Sequence, residues 1–287
     1  MHFVDARSIL SPQNGINPYR GCTHGCIYCD SRSDRYRMDH AFEDVEVKRN
    51  APQLLEEALL RKRKRCMIAT GAMCDPYMHC EEQLQLTRQC LEIIERFGFG
   101  AAVQTKSCRI LRDLDLLDRI NEKSRAVVQM TLTTADEDLC RILEPHVSTT
   151  ARRYEALKEF QERRIPTAVW ISPLLPFLND TEENLRRILE YCFDAGVRAI
   201  LCFGIGVTLR AGDREYFYAA LDRHFPGLRR RYESAYGDAY EVLSPNNPSL
   251  MRLFHRECEK HGVLHDAQSV FAWMREFPED TGQLRLI

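Results

Sequence analysis

Apolar positions fall into two alternating rhythms between residues 50 and 203. Short, nearly continuous apolar runs read as buried strands: CMIAT (66–70), GAAVQT (100–105), AVVQMTL (126–132), TAVWIS (167–172) and VRAILCF (197–203). Between them apolar residues recur three and four apart, the spacing of one helix face. The helix beginning near Asn50 carries Leu55 and Leu59, with Asn50 as its cap, Pro52 in its first turn and RKRKR (61–65) closing it. Residues 82–97 place Leu84, Leu91 and Ile94 on a stripe, with Gly98 just beyond. Residues 110–120 turn Leu114 and Leu117 inward. Thr134 and Glu137 form a capping box before Leu139 and Leu143. Further helices cover 151–162 and run from Asp180 and Glu183 to Ala195, where Gly196 stops the second.

With an extended piece in INPYRG near residue 16, about six strand–helix units result. Near-continuous apolar strands need helices on a parallel sheet, so the fold class is α/β. Pattern alone leaves an open sheet and a partial barrel equally available. After Gly204 come polar helical segments near 213–223, 227–237, 248–261 and 269–277. No Pro/Gly/Ser-rich linker sets them apart, so they are expected as an extension of the same domain. The expected organisation is a leader over 1–16, a core over 17–205 and a helical extension over 206–287.

Composition narrows the class only a little. The chain has 287 residues, 44% hydrophobic and 29% charged, with 40 basic against 42 acidic side chains. That balance predicts no strong global pull toward nucleic acid or an anionic membrane, although RKRKR is a local basic run. No apolar run approaches a membrane span, and the opening residues do not read as a secretory signal. Twelve cysteines are too sparse for a disulfide scaffold in a chain this long. A reducing, cytoplasmic setting is expected.

Three of those cysteines, Cys22, Cys26 and Cys29, lie within eight residues. Zinc sites usually add a second cysteine pair or nearby histidines, and the next cysteine is Cys66, a helix away. His24 lies inside the loop and is a fourth-ligand candidate in principle. A ferredoxin loop would bring a fourth cysteine soon afterwards. Three thiolates suit a [4Fe–4S] cluster with one iron left open for a substrate or cofactor. The competing readings are a zinc-stabilised binding module and a non-catalytic iron–sulfur protein for electron transfer or sensing.

CTHGCIYC resembles the CxxxCxΦC signature of the radical S-adenosylmethionine (radical SAM) superfamily, with Tyr28 at the aromatic position. The strings NPYRGCTHGCIYC (17–29), TKSCRILRDLDLL (105–117), LEPHVSTTARR (143–153) and ISPLLPFLND (171–180) resemble the spore photoproduct lyase-like branch, whose members are often labelled DNA repair photolyases. The resemblance implies a partial (β/α)6 barrel of the TIM type. It implies a [4Fe–4S] cluster on Cys22, Cys26 and Cys29, and S-adenosylmethionine on the open iron. It further implies reductive cleavage to methionine and a 5′-deoxyadenosyl radical that takes a substrate hydrogen, with electrons from a reductant such as flavodoxin or ferredoxin. Residue by residue, it puts Tyr28 near the adenine. TGAMCDPY stands where the superfamily has Gly-Gly-Glu, so Asp75 is the candidate for the cofactor amine. Thr105, Lys106 and Ser107 match the branch's Thr-Lys-Ser, and Lys106, with Arg152, would offer positive charge to a carboxylate. Cys74 is a candidate hydrogen donor to a product radical. The substrate is left open among a nucleic acid lesion, a peptide or protein, and a small molecule. A broad basic groove above the cysteines would favour nucleic acid.

Overall fold

A computed structural model describes residues 1–278; residues 279–287 of the expected extension lie outside the described residues. Six strands form one parallel sheet in chain order: Gly15–Ile16, Met67–Thr70, Gly100–Thr105, Ala126–Thr131, Thr167–Trp170 and Ala199–Leu201. Each expected apolar run supplies a strand; Gly100–Thr105 matches its run in full and the others are trimmed at one or both ends. The order runs from the first strand to the sixth, and those two are not paired with each other among the described residues.

Both faces of the sheet are buried, which is why the strands read as nearly unbroken apolar runs. One face packs Val103, Val128 and Val169 against the surrounding helices, through Leu55, Leu91, Leu117, Leu157 and Leu189. The other presents the alternate residues Ala102, Val127, Ala168 and Leu201 to Val270 and Met274 of the final helix, Ala267–Arg275. That helix fills the concave side.

Several local expectations need correction, and at Asn50 and Asp180 a longer-range partner outcompetes the local one. Asn50 does not cap the helix Ala51–Arg61; its side chain instead pairs with the Ala6 backbone, donating to the carbonyl and accepting the N–H at 2.9 Å each. The same helix stops at Arg61, so Lys62–Arg65 lie beyond it and cannot serve its last turn. The expected helix over 82–97 is two, Glu81–Leu84 and Leu86–Arg96, broken where Gln85 takes a left-handed φ of 52°. Residues Cys108–Asp113 form a 3₁₀ segment before the helix Leu114–Lys123, which buries Leu116 and Leu117. Asp136, not Thr134, caps the helix Glu137–Leu143 through the N–H groups of Asp138 and Leu139. Thr181, not Asp180, caps Glu182–Asp194; the Asp180 carboxylate is buried and accepts from the Ser244 hydroxyl at 2.5 Å.

Two small sheets were not expected. His2–Val4, Glu46–Lys48 and Tyr19–Arg20 form one, beside the cysteine loop. Gly206–Thr208 and Glu241–Leu243 form an antiparallel pair beyond the sixth strand. Gly206 is required there, because a Cβ would stand 2.4 Å from the Val242 carbonyl oxygen.

The C-terminal part closes onto the segment that follows the cysteines. The Asp34 N–H donates to the Ala211 carbonyl at 3.0 Å. The Arg32 guanidinium lies 3.6 Å from the Tyr216 ring centroid, and Arg210 stands 3.2 Å from Asp30. Asp213 begins the helix Asp213–His224 and accepts the Arg210 N–H at 2.7 Å, but its other oxygen is buried without a partner. Burial, only partly offset by N–H donors and reinforced by Asp30, raises the Asp213 carboxyl from its usual 3.8 to about 6. The folded chain therefore holds a proton that the unfolded chain releases, and stability falls as pH rises through roughly that window. In thermal unfolding followed between pH 4 and 7, the Asp213→Asn chain should lose less stability on raising the pH than the unsubstituted chain, by a few degrees in Tm. Parallel curves for the two would exclude this assignment.

Candidate functional site

The loops at the C-terminal ends of the parallel strands converge on one place. The cysteine loop follows the first strand, Asp75 the second, and Thr105–Ser107 the third. The stretch after the fourth strand brings Glu144, and the helix Thr150–Glu162 that follows brings Arg153. In a parallel sheet these loops all emerge on the same side, so residues far apart in sequence become neighbours.

The turn into the cysteine loop needs Gly21. Its φ is +86° and a Cβ would lie 2.5 Å from the Phe42 carbonyl oxygen, the group that accepts the Cys22 N–H at 3.0 Å. Cys22 and Cys26 are buried and Cys29 is half-buried. Burial pushes the Cys22 and Cys26 thiols up. Opposing that, the N–H groups of His24 and Asp75 face the Cys22 sulfur, and the Lys106 charge bears on Cys26. Donors and a cation turned toward sulfurs are what thiolate ligands require. Among the described residues no group of three His, Cys, Asp or Glu closes around a single ion.

The loop is clamped to the far side of the site by a fully buried relay. Tyr28 donates its hydroxyl to Glu144, and Glu144 pairs with Arg153. Arg153 also donates to the Thr131 carbonyl at 2.6 Å and the Ser148 carbonyl at 2.7 Å. Two backbone bonds run beside it: Ile27 N–H to Leu143 O at 3.0 Å and His146 N–H to His24 O at 3.2 Å. Burial opposes the Glu144 charge, but Arg153, Lys106 and the Tyr28 hydroxyl outweigh it and keep the carboxyl below its usual range. Burial and the Glu144 charge push the Tyr28 phenol well up, so it stays a donor.

Asp75 joins the second strand end to the third. It accepts from the Thr105 hydroxyl and the Lys106 N–H at 2.7 Å each and from the Tyr77 N–H at 2.8 Å, and His24 Nδ1 lies 3.4 Å away. Its oxygens are thus engaged within the protein. Thr105 also receives the Ser107 N–H at 2.9 Å, and Ser107 caps the 3₁₀ segment through the Arg109 N–H at 3.3 Å. Lys106 alone of that trio extends its side chain into the site, 5.9 Å from the Tyr28 ring centroid. Burial lowers its basicity, but Cys26, Glu144, Cys29 and Asp75 more than compensate and hold it charged.

Two sequence candidates sit differently. Arg152 is exposed on the helix Thr150–Glu162; its neighbour Arg153 is the arginine that enters the site. Cys74 is buried beside Cys22, and its thiol donates to the Tyr19 carbonyl at 3.0 Å; burial pushes it up to about 12. Glu144 and Arg153 carry the buried relay, and His24 lies buried against Asp75. Sequence alone offers His24 only as a ligand and gives no signal that singles out Glu144 or Arg153.

A cavity of about 600 Å³ opens above these groups, lined by Cys26, Cys29, Tyr28 and Lys106 on one side. The opposite side is Phe203, Gly206–Thr208, Glu241 and Leu243, with Ser172 and Pro173, joined by a cis peptide, between. The size suits a cofactor with part of a substrate. Cys74, Asp75 and Arg152 are not among its lining residues.

A family model described as the radical SAM superfamily matches residues 16–192. An uncharacterized protein of Mycobacterium tuberculosis is 29% identical over 243 residues, 83% of this chain and 71% of that protein. An uncharacterized protein of Methanocaldococcus jannaschii is 31% identical over 169 residues, 58% of this chain and 62% of that one. Among solved structures, a mutant spore photoproduct lyase superposes with a TM-score of 0.65 at 13% identity, covering 92% of this chain and 80% of the lyase. Spore photoproduct lyase complexed with dinucleoside spore photoproduct gives 0.63 at 13% identity with the same coverage. At that identity the likeness is one of fold.

The relay makes a direct prediction. Removing one member of a fully buried ion pair strands the other, at a cost of about 3–5 kcal/mol. Glu144→Ala and Arg153→Ala should each lower the urea midpoint strongly, whereas Arg152→Ala should leave it unchanged. Equal effects at 152 and 153 would contradict the placement.

Proposed function

The chain belongs to the radical SAM superfamily, and from that premise we propose that it is an enzyme that cleaves S-adenosylmethionine reductively with a [4Fe–4S] cluster held by Cys22, Cys26 and Cys29. The observation that carries this reading is the meeting of Cys26, Cys29, Tyr28 and Lys106 on one cavity at the C-terminal ends of parallel strands. When bound, the cluster supplies an electron that splits the sulfonium into methionine and a 5′-deoxyadenosyl radical, which abstracts hydrogen from a substrate.

The chain's own residues bind, orient and shield. Lys106 supplies the positive charge for the cofactor carboxylate, since it is the only basic side chain lining the cavity among the described residues. Tyr28 offers its ring face as a wall beside the adenine, with its hydroxyl already committed to Glu144. Asp75 acts as a positioning residue that sets Lys106 through its backbone N–H, because its carboxylate is taken up within the protein. Thr105 and Ser107 hold the same turn. Cys74, with its thiol turned to the Tyr19 carbonyl, supports Cys22 by packing rather than donating hydrogen. Residues 17–205 then form the catalytic core as a partial (β/α)6 barrel, and the C-terminal part completes the cavity wall. Electrons come from an external reductant of the flavodoxin or ferredoxin kind. No helix among the described residues is long and apolar enough to cross a membrane.

Anaerobic reconstitution with iron and sulfide, then reduction in the presence of S-adenosylmethionine, tests the reading. The expected result is about four irons per chain and release of 5′-deoxyadenosine. Cys26→Ala should lose both, while Cys74→Ala should keep both. A Cys26→Ala chain with normal iron content and normal cleavage would refute the ligand assignment.

A further inference from the structure

We infer that the outer half of this cavity selects an uncharged or cationic substrate bearing an apolar group, with Phe203, Leu243 and Glu241 as its specificity residues. The inference rests on the enzymatic reading above and deepens it by naming the chemistry of the substrate.

The argument starts from which groups remain once the cysteines, Tyr28 and Lys106 are assigned to the cofactor. Among the described residues the outer wall has no basic side chain. Its two carboxylates are Asp30 and Glu241. Asp30 is already engaged by Arg210 at 3.2 Å and by the Tyr36 hydroxyl at 3.0 Å. Glu241 is exposed on the edge pair Gly206–Thr208/Glu241–Leu243, and no ion pair or side-chain hydrogen bond engages it among the described residues. With Lys106 taken up by the cofactor carboxylate, an anion brought to the outer half meets that carboxylate and no second cation among the described lining residues. A cation or a neutral donor meets a free acceptor.

The apolar part has a matching place. Phe203 is 58% exposed and Leu243 48% exposed, and among the described residues only Met1, Phe3, Leu60 and Tyr240 are other large apolar side chains left exposed. Both line the same cavity. Phe203 is held in position by Trp170 and Phe271, with ring centroids at 5.8 and 6.1 Å. Leu243 is set by its register opposite Gly206. An apolar surface that is rigid, concave and left open over a reactive centre marks a binding wall.

Trp170 provides a built-in reporter, since it touches Phe203 and the chain has only one other tryptophan, Trp273. In a Trp273→Phe background, fluorescence can be titrated with phenethylamine, with phenylacetate and with an oligothymidylate. Saturable quenching by phenethylamine is expected, about threefold to fivefold tighter than by phenylacetate, the range that one partly exposed charge supports. Glu241→Gln should erase that preference, and Leu243→Ala should weaken the amine and the acid alike. The inference is overturned if phenylacetate or the oligothymidylate binds as tightly as phenethylamine, if Glu241→Gln leaves the preference intact, or if no probe gives a saturable change. Release of 5′-deoxyadenosine by the same preparation reports on the enzymatic reading separately, so either idea can fail alone.

Discussion

The buried charge relay from Tyr28 through Glu144 to Arg153 is the constraint on which the site depends. A loop with three cysteines in eight residues has little to fix its shape. The short strand Tyr19–Arg20 enters it and a 3₁₀ turn follows it, but the loop between has no regular backbone pairing of its own. The relay ties Tyr28, one residue before Cys29, to a carboxylate and a guanidinium that are both inaccessible to water. Such a pair is costly to bury and tolerable only when every donor and acceptor is used. Arg153 meets that condition by reaching two backbone carbonyls besides Glu144. The expense has a structural return: the relay has few alternative geometries, so the loop it anchors has few as well.

Parallel topology does the rest. Each strand ends on the same side, and each following loop delivers one or two polar groups to a common centre. Asp75 turns that neighbourhood into a connected unit, because its carboxylate spans the second and third strand ends and approaches His24 of the cysteine loop. The result is a site whose components come from residues 22 to 153 yet are linked by a chain of hydrogen bonds. Such sites are precise because the elements beneath them are rigid.

Much of this was legible in the residues. The apolar runs located five of the six strands, and the cysteine spacing located the loop. Burial is what a periodic pattern reports, so strands and helix faces were readable while pairing partners were not. Asn50 looks like a cap because the local motif is a cap, but Ala6, 44 positions away, takes its side chain. Arg152 and Arg153 are indistinguishable as neighbouring arginines; a helix turns successive side chains by about 100°, and only the packing of Thr150–Glu162 decides which one enters. Glu144 gave no periodic signal at all, since a single acidic residue before a proline reads as a loop. Lys106 was found because its neighbours Thr105 and Ser107 resembled a known string, although those two side chains turn out to serve the turn itself.

Charge is distributed along the strand direction in a way that bears on what reaches the cysteines. At the N-terminal ends of the strands, Lys62, Arg63, Lys64, Arg65 and Arg275 surround a second cavity of about 870 Å³. At the C-terminal ends, the outer wall of the cavity over the cysteines is apolar and acidic. The field of five clustered cations draws a polyanion toward their own end. A nucleic acid guided by electrostatics alone would therefore arrive at the face that has none of the three cysteines. The basic run lies at the opposite ends of the strands from the cysteine loop, and the open Phe203 and Leu243 side chains become the stronger guide to what the cavity admits.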